Sequence, residues 1–396
     1  MPDRRTFLQQ LAAGAAGLSL QPTIEHVLPQ SGQTDERPNI LWLSTEDISP
    51  HLGTYGYEHA VTPTLDRLAE EGIQYENAFC TSPVCSPNRS SIATGVYSST
   101  LGTHHMRSGG SGTEYNVLPE IPSHIQMFTE FLRRDGYYCT NNSKEDYNFE
   151  TPENAWDESS GEAHWRDRPD GQPFFSVFNF TGTHEGSVRL QGEAHDEHVS
   201  RLDPSERQNP DEVPLPPYYP DTELTRREWA EYYELVTNMD YWVSDHLEAL
   251  EEAGLAEQTI VFFWSDHGVG LSRAKRWPYD SGLRIPLIVR IPERFRTEST
   301  PPPGTESDQV VSSFDMAPTV LNLAGLEAPA YMQARTFLGE NQDPERRYAF
   351  STRDRMDERY DIIRTVRDER FRYVRNYEPF KPYHQFMNTP EGNQFT

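Results

Sequence analysis

The sequence predicts an α/β fold, on three observations. Apolar runs of strand length recur at Pro38 to Thr45, Pro173 to Phe180 and Thr259 to Trp264, and each reads as a buried strand. A long amphipathic helix separates the last two: from Thr225 to Ala253, Tyr232, Leu235, Val236, Met239 and Val243 share one apolar stripe, and Gly254 stops it. At 396 residues the chain can bury a large core, with one big domain plus a smaller one as the natural division.

Composition narrows the partners. Lys and Arg number 35 against 62 Asp and Glu, a formal net charge of -27. Such a surface repels nucleic acid and anionic membranes, so both are discounted as partners. Acidity spread along the whole chain suggests adaptation to high salt, the alternative being a merely acidic soluble protein. Cys80, Cys85 and Cys139 give neither a disulfide framework nor a zinc spacing; Cys80 and Cys139 either pair with each other or, as the preferred reading, are simply buried. Arg4-Arg5-Thr6-Phe7-Leu8, followed by an Ala-rich apolar run to Leu20, resembles a twin-arginine export signal. Residues 1–36 are therefore set aside as signal and linker, with the periplasm or the exterior as the expected destination. No later run is long and apolar enough to span a membrane.

Taken in order, the first strand ends in Glu46-Asp47, and open α/β sheets place their ligands at such carboxyl ends. Thr62-Pro63 opens a helix through Glu71 with Leu65, Leu68 and Ala69 inward and Gly72 as the stop. Ile73 to Phe79 is strand-like and leads into Pro83-Val84-Cys85-Ser86-Pro87-Asn88-Arg89, after which Ser90 to Thr94 continue as a helix. Cys85 then stands at a helix N-terminus, where free N–H groups favour an anion, with Arg89 one turn on. Gly102 to Arg107 is a loop whose His104 and His105 either line an anion pocket or serve as ordinary polar groups. His124 to Arg134 reads as a helix and Tyr137 to Asn142 as a strand, followed by Lys144 and Asp146. His184 lies just past the Phe180 strand end, and an ordinary pKa of ~6.5 suits it to acid–base work.

Glu185 to Thr222, acidic and proline-rich, is expected to be a long loop over the sheet edge, with His195 and His198 solvated. The strand from Thr259 ends in Ser265-Asp266-His267-Gly268, and Lys275-Arg276 follow. Pro286 to Pro292 is a strand, and Ser313 opens a helix to Ala324 with Asp315 as a helix-start or packing residue. From Arg347 the pattern alternates like an antiparallel sheet: Tyr348 to Thr352, Ile362 to Val366, Phe371 to Val374. Arg353 to Glu358, between the first two, is a charged loop that either reaches a substrate or is a solvated turn.

The stretch Cys85-x-Pro87-x-Arg89, closing on Thr94-Gly95, resembles the signature of the type I sulfatases, whose cysteine is oxidised to a formylglycine aldehyde. Asn88 and Ala93 depart from the usual residues there. The spacing Thr62-Pro-x-Leu-Asp-x-Leu-Ala-x-x-Gly72 agrees as well, and the resemblance runs from about Pro38 to Tyr377. It implies an alkaline phosphatase-like fold: a mostly parallel central sheet flanked by helices, with a small C-terminal antiparallel-sheet subdomain. The expected division is a catalytic domain over 37–335 and an α+β subdomain over 336–396, truncated or compact because the chain stops soon after Tyr377.

The resemblance also implies a chemistry. One hydroxyl of the hydrated aldehyde derived from Cys85 attacks sulfur and the other later expels sulfate, so the nucleophile regenerates itself. Glu46, where the family has Asp, would bind a divalent metal, usually calcium, together with Asp47, Asp266, His267 and residue 85. Imidazole is a poor calcium ligand, so His267 supports the ligands from behind, contacts the aldehyde oxygen, or signals another metal. Arg89 would hold the diol, and Lys144 the aldehyde and the sulfate, with Asp146 standing where histidine is common. His184 and Lys275, the latter from Lys275-x-x-x-Tyr279-Asp280-x-Gly282, would bind sulfate or protonate the leaving atom. His104, His105, Arg276 and Arg353 are the candidate substrate contacts.

A formylglycine-generating enzyme is the implied maturation partner. Ile362 to Asp368 and Tyr373 to Tyr377 resemble the heparan N-sulfatase-like branch, which makes sulfated sugars the expected substrates. The acidic surface would repel a sulfated polyanion at long range, so local cations, the metal or a salty medium must offset it. Two alternatives stand beside this: a phosphonate or phosphate ester hydrolase of the same superfamily, and an inactive homologue that binds sulfated glycans with Cys85 unconverted.

Overall fold

An eight-stranded sheet with apolar layers on both faces carries the site. The computed structural model describes residues 37–106, 118–357 and 359–382. The export-type segment 1–36 and Arg107 fall outside the described residues. In chain order the elements that position the site are β1 (Asn39–Thr45), α1 (Pro63–Glu71), β2 (Ile73–Phe79), α2 (Cys85–Thr94), α3 (Phe128–Arg134), β3 (Tyr138–Asn142), β4 (Glu158–Ser160), β5 (Phe174–Phe180), α4 (Glu223–Glu252), β6 (Thr259–Ser265), β7 (Leu287–Arg290), β8 (Thr305–Ser312), α5 (Met316–Leu323), β9 (Ala349–Arg353), β10 (Ile363–Arg367) and β11 (Arg372–Asn376).

The strand order is β4-β3-β5-β1-β6-β7-β2-β8, with β7 antiparallel to both its neighbours and the remaining pairs parallel. β1, β5 and β6 are buried along nearly their whole length, as strands covered on both faces must be. Trp42, Phe175, Phe262 and Trp264 project to one side, and Leu41, Leu43, Phe174 and Phe263 to the other, against α4. β9, β10 and β11 form the separate antiparallel sheet that the sequence predicts, each displaced by one residue towards the C-terminus at its start.

Several expectations need correction. The helix placed at His124 starts only at Phe128, because the Glu130 side chain accepts the Met127 N–H at 2.8 Å and closes a capping box there. β4 and β8 are not foreseen: β4 is very short, and the outer half of β8 is polar and alternately exposed. The segment 185–222 is not all loop. It contains the short helices Glu185–Val188 and Glu193–His198, and a buried cluster pins it to α4. His195, expected to be solvated, is buried with its Nε2 2.8 Å from the Glu234 carboxylate, which also takes Arg207 Nε at 3.0 Å. An acidic helix face left a buried charge to be matched, and periodicity alone does not show which residue of a crossing loop matches it. His198 is exposed, as expected.

Two further histidines bear on stability in acid. His51 is enclosed by Trp229, Tyr232 and Tyr233, and His246 packs on Phe178 and Trp242. Burial pushes their pKa values down to about 3 and about 4. Both stay neutral in the folded state while the unfolded chain protonates at ~6.5, so the unfolded state binds more protons as pH falls through that range. Stability should therefore decline from about pH 6.5 to about pH 4, by up to roughly 1.4 kcal/mol per pH unit per histidine. Urea unfolding of His246→Phe against the parent over this range checks it: the slope should flatten in the variant.

Candidate active site

Register brings the chemical groups to one edge. Thr45 of β1 pairs with Phe180 of β5 and with Ser265 of β6, so all three strands end level. The residues that follow, Glu46-Asp47, Thr181 to His184 and Asp266-His267, leave the sheet side by side. β3 ends two residues before Lys144, with Asn142 opposite Phe178. β2 delivers the fifth strand end: Phe79 closes it, and a short turn leads into α2, whose first residue is Cys85.

Cys85 is buried at the start of α2, its Sγ 3.3 Å from His267 Nε2. His267 Nδ1 lies 2.9 Å from the Gly268 carbonyl, which can only accept, so Nδ1 carries a proton and Nε2 faces Cys85 and, at 3.0 Å, Asp47 Oδ1. Burial opposes charge on this imidazole, but the carboxylates of Asp266 and Asp47 raise its pKa well above the ordinary value. Lys275 Nζ sits 2.8 and 3.0 Å from the two Asp47 oxygens and 3.1 Å from His184 Nε2. Burial alone would raise the Asp47 pKa; Lys275 and His267 together hold it well below the usual carboxylate range. His184, pushed down by the Lys275 charge and by burial, is the neutral partner.

Across the site, Lys144 Nζ lies 2.6 Å from Glu46 Oε1, and Arg89 Nε donates to Asp266 Oδ2 at 3.0 Å. Arg89 also donates to Asn179 Oδ1 at 2.9 Å. Among the sequence-predicted residues the structure thus gathers Glu46, Asp47, Cys85, Arg89, Lys144, His184, Asp266, His267 and Lys275. Lys144 and His184 keep 19% and 39% of their side-chain surface, which marks the side from which a substrate reaches Cys85.

The donor set fits a hard divalent cation. Glu46, Asp47 and Asp266 are almost fully buried carboxylates, and neither Glu46 oxygen has an aligned hydrogen-bond donor. Ligand atoms of Glu46, Asp47, Cys85 and His184 lie within 4.8 Å of one another, as do those of Cys85, Asp266 and His267. Asp47 and Asp146 hold positive φ angles of 54° and 53°, and Arg276 one of 73°, conformations that non-glycine residues rarely adopt and that cluster at functional centres.

The departures from the family pattern have structural roles. Asn88 donates to the Asp266 carbonyl and accepts from the Thr81 N–H at 2.8 Å and the Ser313 hydroxyl at 2.7 Å, tying α2 to the end of β6. Asp146 accepts from Ser86 at 2.6 Å and lies 3.9 Å from Lys144, so it positions both.

The four candidate substrate contacts fare differently. The loop of His104 and His105 touches α2 through Met106, 3.6 Å from the Ser86 hydroxyl, and both rings are half-buried. Arg276 is buried and clamped by Glu185 at 2.8 and 2.9 Å, and also pairs with Asp357. Arg353 does not lie in an exposed loop: it ends β9, fully buried, with its guanidinium 4.0 Å above the Trp277 ring. The β9 pairing turns it inward, because Ile363 opposite it faces the core.

Glu185 is the residue sequence reasoning missed. Its N–H donates to Asp47 Oδ2 at 2.8 Å, its carboxylate takes Arg276 and lies 3.3 Å from Lys275, and those cations hold its pKa below the usual range against burial. The available signal was its place beside His184, a carboxylate just past a strand end.

Comparison with known proteins agrees in extent with this architecture. The family model described as Sulfatase matches residues 38–326, and that described as N-sulphoglucosamine sulphohydrolase, C-terminal, matches residues 270–388. An ulvan-active sulfatase of Formosa agariphila is 42% identical over 379 residues, covering 88% of this chain and 62% of that protein, so the chain spans about three fifths of its length. Human N-sulphoglucosamine sulphohydrolase is 27% identical over 319 residues, covering 74% of this chain and 62% of the relative. Among solved structures, a complex with the substrate D-glucosamine-2-N,6-O-disulfate superposes with a TM-score of 0.64 at 18% identity, covering 87% and 90% of the two chains. The phosphonate monoester hydrolase of Agrobacterium radiobacter gives a TM-score of 0.66 at 16% identity, covering 86% and 87%. At such identities these two likenesses speak for the fold alone.

Proposed function

Because the chain belongs to the sulfatase family, with a C-terminal part of the N-sulphoglucosamine sulphohydrolase type, we propose that it hydrolyses sulfate esters or sulfamates of sulfated sugars. The observation that carries this reading is the surround of Cys85: three buried carboxylates and the cations Arg89, Lys144 and Lys275, converging on one helix N-terminus. The ulvan-active relative, 42% identical, supports a sulfated polysaccharide as the substrate class. The Arg4-Arg5 stretch supports export, where such a polymer would be met.

Formylglycine made from Cys85 would supply a geminal-diol nucleophile, and a divalent cation such as calcium, held by Glu46, Asp47, Asp266 and His267, would supply Lewis-acid polarisation. The chain's own residues do the rest. Lys144, paired with Glu46, and Lys275, paired with Asp47, bring positive charge to the site and stabilise a tetrahedral anion there. Arg89, locked on Asp266 and Asn179, adds charge from beneath without changing place. His184, whose Nδ1 accepts from the Gly186 N–H, lies 3.1 Å from Lys275 Nζ, and one of the two protonates the departing oxygen or nitrogen. A formylglycine-generating enzyme is the implied maturation partner.

Parallel turnover of an aryl sulfate and an aryl phosphonate monoester tests the reading. Sulfate turnover should dominate, fall with chelator and return with calcium. A preference for the phosphonate ester would overturn it in favour of the related hydrolase.

A further inference from the structure

Beside the catalytic centre lies a second cavity, of about 380 Å³, that none of the chemistry above uses. Ser49 and Val269, each two residues beyond a candidate metal-binding group (Asp47 and His267), line this cavity. The Val269 N–H donates to Ser49 Oγ at 3.1 Å and Ser49 Oγ donates to the Ser281 carbonyl at 2.8 Å, so this side of the cavity is stitched rather than mobile. The far wall is aromatic: Tyr57, Tyr218, Trp229 and Tyr233. Tyr218 comes from the proline-rich end of segment 185–222, and the Arg273 guanidinium stacks 4.3 Å over its ring, holding it upright.

The polar groups of the cavity say what it would take. Its formal charges are already matched, Arg284 by Glu76 at 2.7 Å and Asp280 by Arg372 and Arg367. His51 is kept neutral by burial. Trp229 and Tyr233, each 2% exposed, back the aromatic wall from the core, and the half-buried Tyr57 and the exposed Tyr218 present its accessible faces. Accessible aromatic faces and lining charges that are already paired suit a ring with one apolar face and hydroxyl groups at its edge. The catalytic centre has the opposite character, a dense set of charges.

We propose that this cavity is a binding site for one uncharged pyranose ring, an anchor for an unsulfated unit of a glycan. The choice of a sugar rests on the proposed function; the absence of charge in the ligand rests on the cavity alone. The full chain is titrated with uncharged methyl glycosides of glucose, galactose and rhamnose, read by saturation-transfer NMR and by tryptophan fluorescence. At least one glycoside should bind saturably. Tyr218→Ala, at the half-exposed rim, should abolish the signal, and Tyr57→Leu, which removes the half-buried ring on the same wall, should weaken binding roughly 5- to 10-fold. Both variants should keep the parent's melting temperature and its aryl-sulfate turnover, since a small aryl ester does not need the anchor. No saturable binding by any glycoside overturns the proposal, as does binding that survives both substitutions. Binding displaced by inorganic sulfate also overturns it, by assigning the sugar to the catalytic centre. Because the probes carry no sulfate, loss of aryl-sulfate activity in the parent would count against the proposed function and leave this assignment standing.

Discussion

Cys85→Ala is expected to lower aryl-sulfate turnover by about 10⁴-fold or more, the scale on which removal of a covalent nucleophile acts. The side chain lies at the start of α2, enclosed and 3.3 Å from His267 Nε2, and its sulfur belongs to both groups of acidic and histidine side chains gathered there. The loss should fall on kcat. Binding of a sulfate analogue should persist, because Arg89, Lys144 and Lys275 keep their places through pairs that do not involve residue 85. Removing one buried sulfur should cost little stability, so the variant remains folded. Single-turnover kinetics and calorimetric titration with the analogue read the two halves separately. A variant that keeps even a few per cent of parental kcat would show that residue 85 is not the nucleophile. The mass of the tryptic peptide carrying residue 85, from protein made in its own host, complements this: conversion removes one sulfur and two hydrogens and adds one oxygen.

The second large effect is on stability. Arg89 and Asp266 form an ion pair with 4% and 0% of their side-chain surfaces exposed. Burial opposes charge on Arg89, yet the carboxylate of Asp266, with that of Glu46, raises its pKa above the ordinary value. Arg89→Met keeps much of the volume but leaves Asp266 buried beside Asp47 with less compensating charge. Breaking such a pair from one side costs about 3–5 kcal/mol, because an uncompensated charge remains in a low dielectric. Urea unfolding with chelator present should show a loss of that size. With calcium added, the loss should shrink, since a cation shared by Asp266 and Asp47 replaces part of the missing charge. A loss below about 1 kcal/mol in chelator would mean that solvent reaches Asp266 and would undo the electrostatic account of the site.

Much of the site was legible because its groups stand at strand ends, and strand ends are marked in the sequence by an abrupt change from apolar to charged residues. Glu46-Asp47 after Trp42-Leu43, and Asp266-His267 after Phe263-Trp264, are such changes. Arg353 misled for the converse reason. It stands at the head of a charged stretch, so it read as part of a loop, yet the β9–β10 register turns it beneath the site onto Trp277. Glu185 was passed over because a glutamate opening an acidic segment looks like its neighbours; only the fold shows Asp47, Lys275 and Arg276 meeting around it.

The sequence by itself determined the α/β class, the central strands, α4, the C-terminal antiparallel sheet and the residues that carry charge at the sheet's edge. It could do so because buried strands and amphipathic helices write their periods directly into the order of apolar residues. Tertiary structure alone decided the strand order, the pairing of Lys144 with Glu46 and of Lys275 with Asp47, the anchoring of segment 185–222 through His195 and Glu234, and the aromatic cavity behind Ser49 and Val269. Those features depend on which side chains far apart in the chain come within a few ångströms of each other. Local periodicity carries no record of that distance.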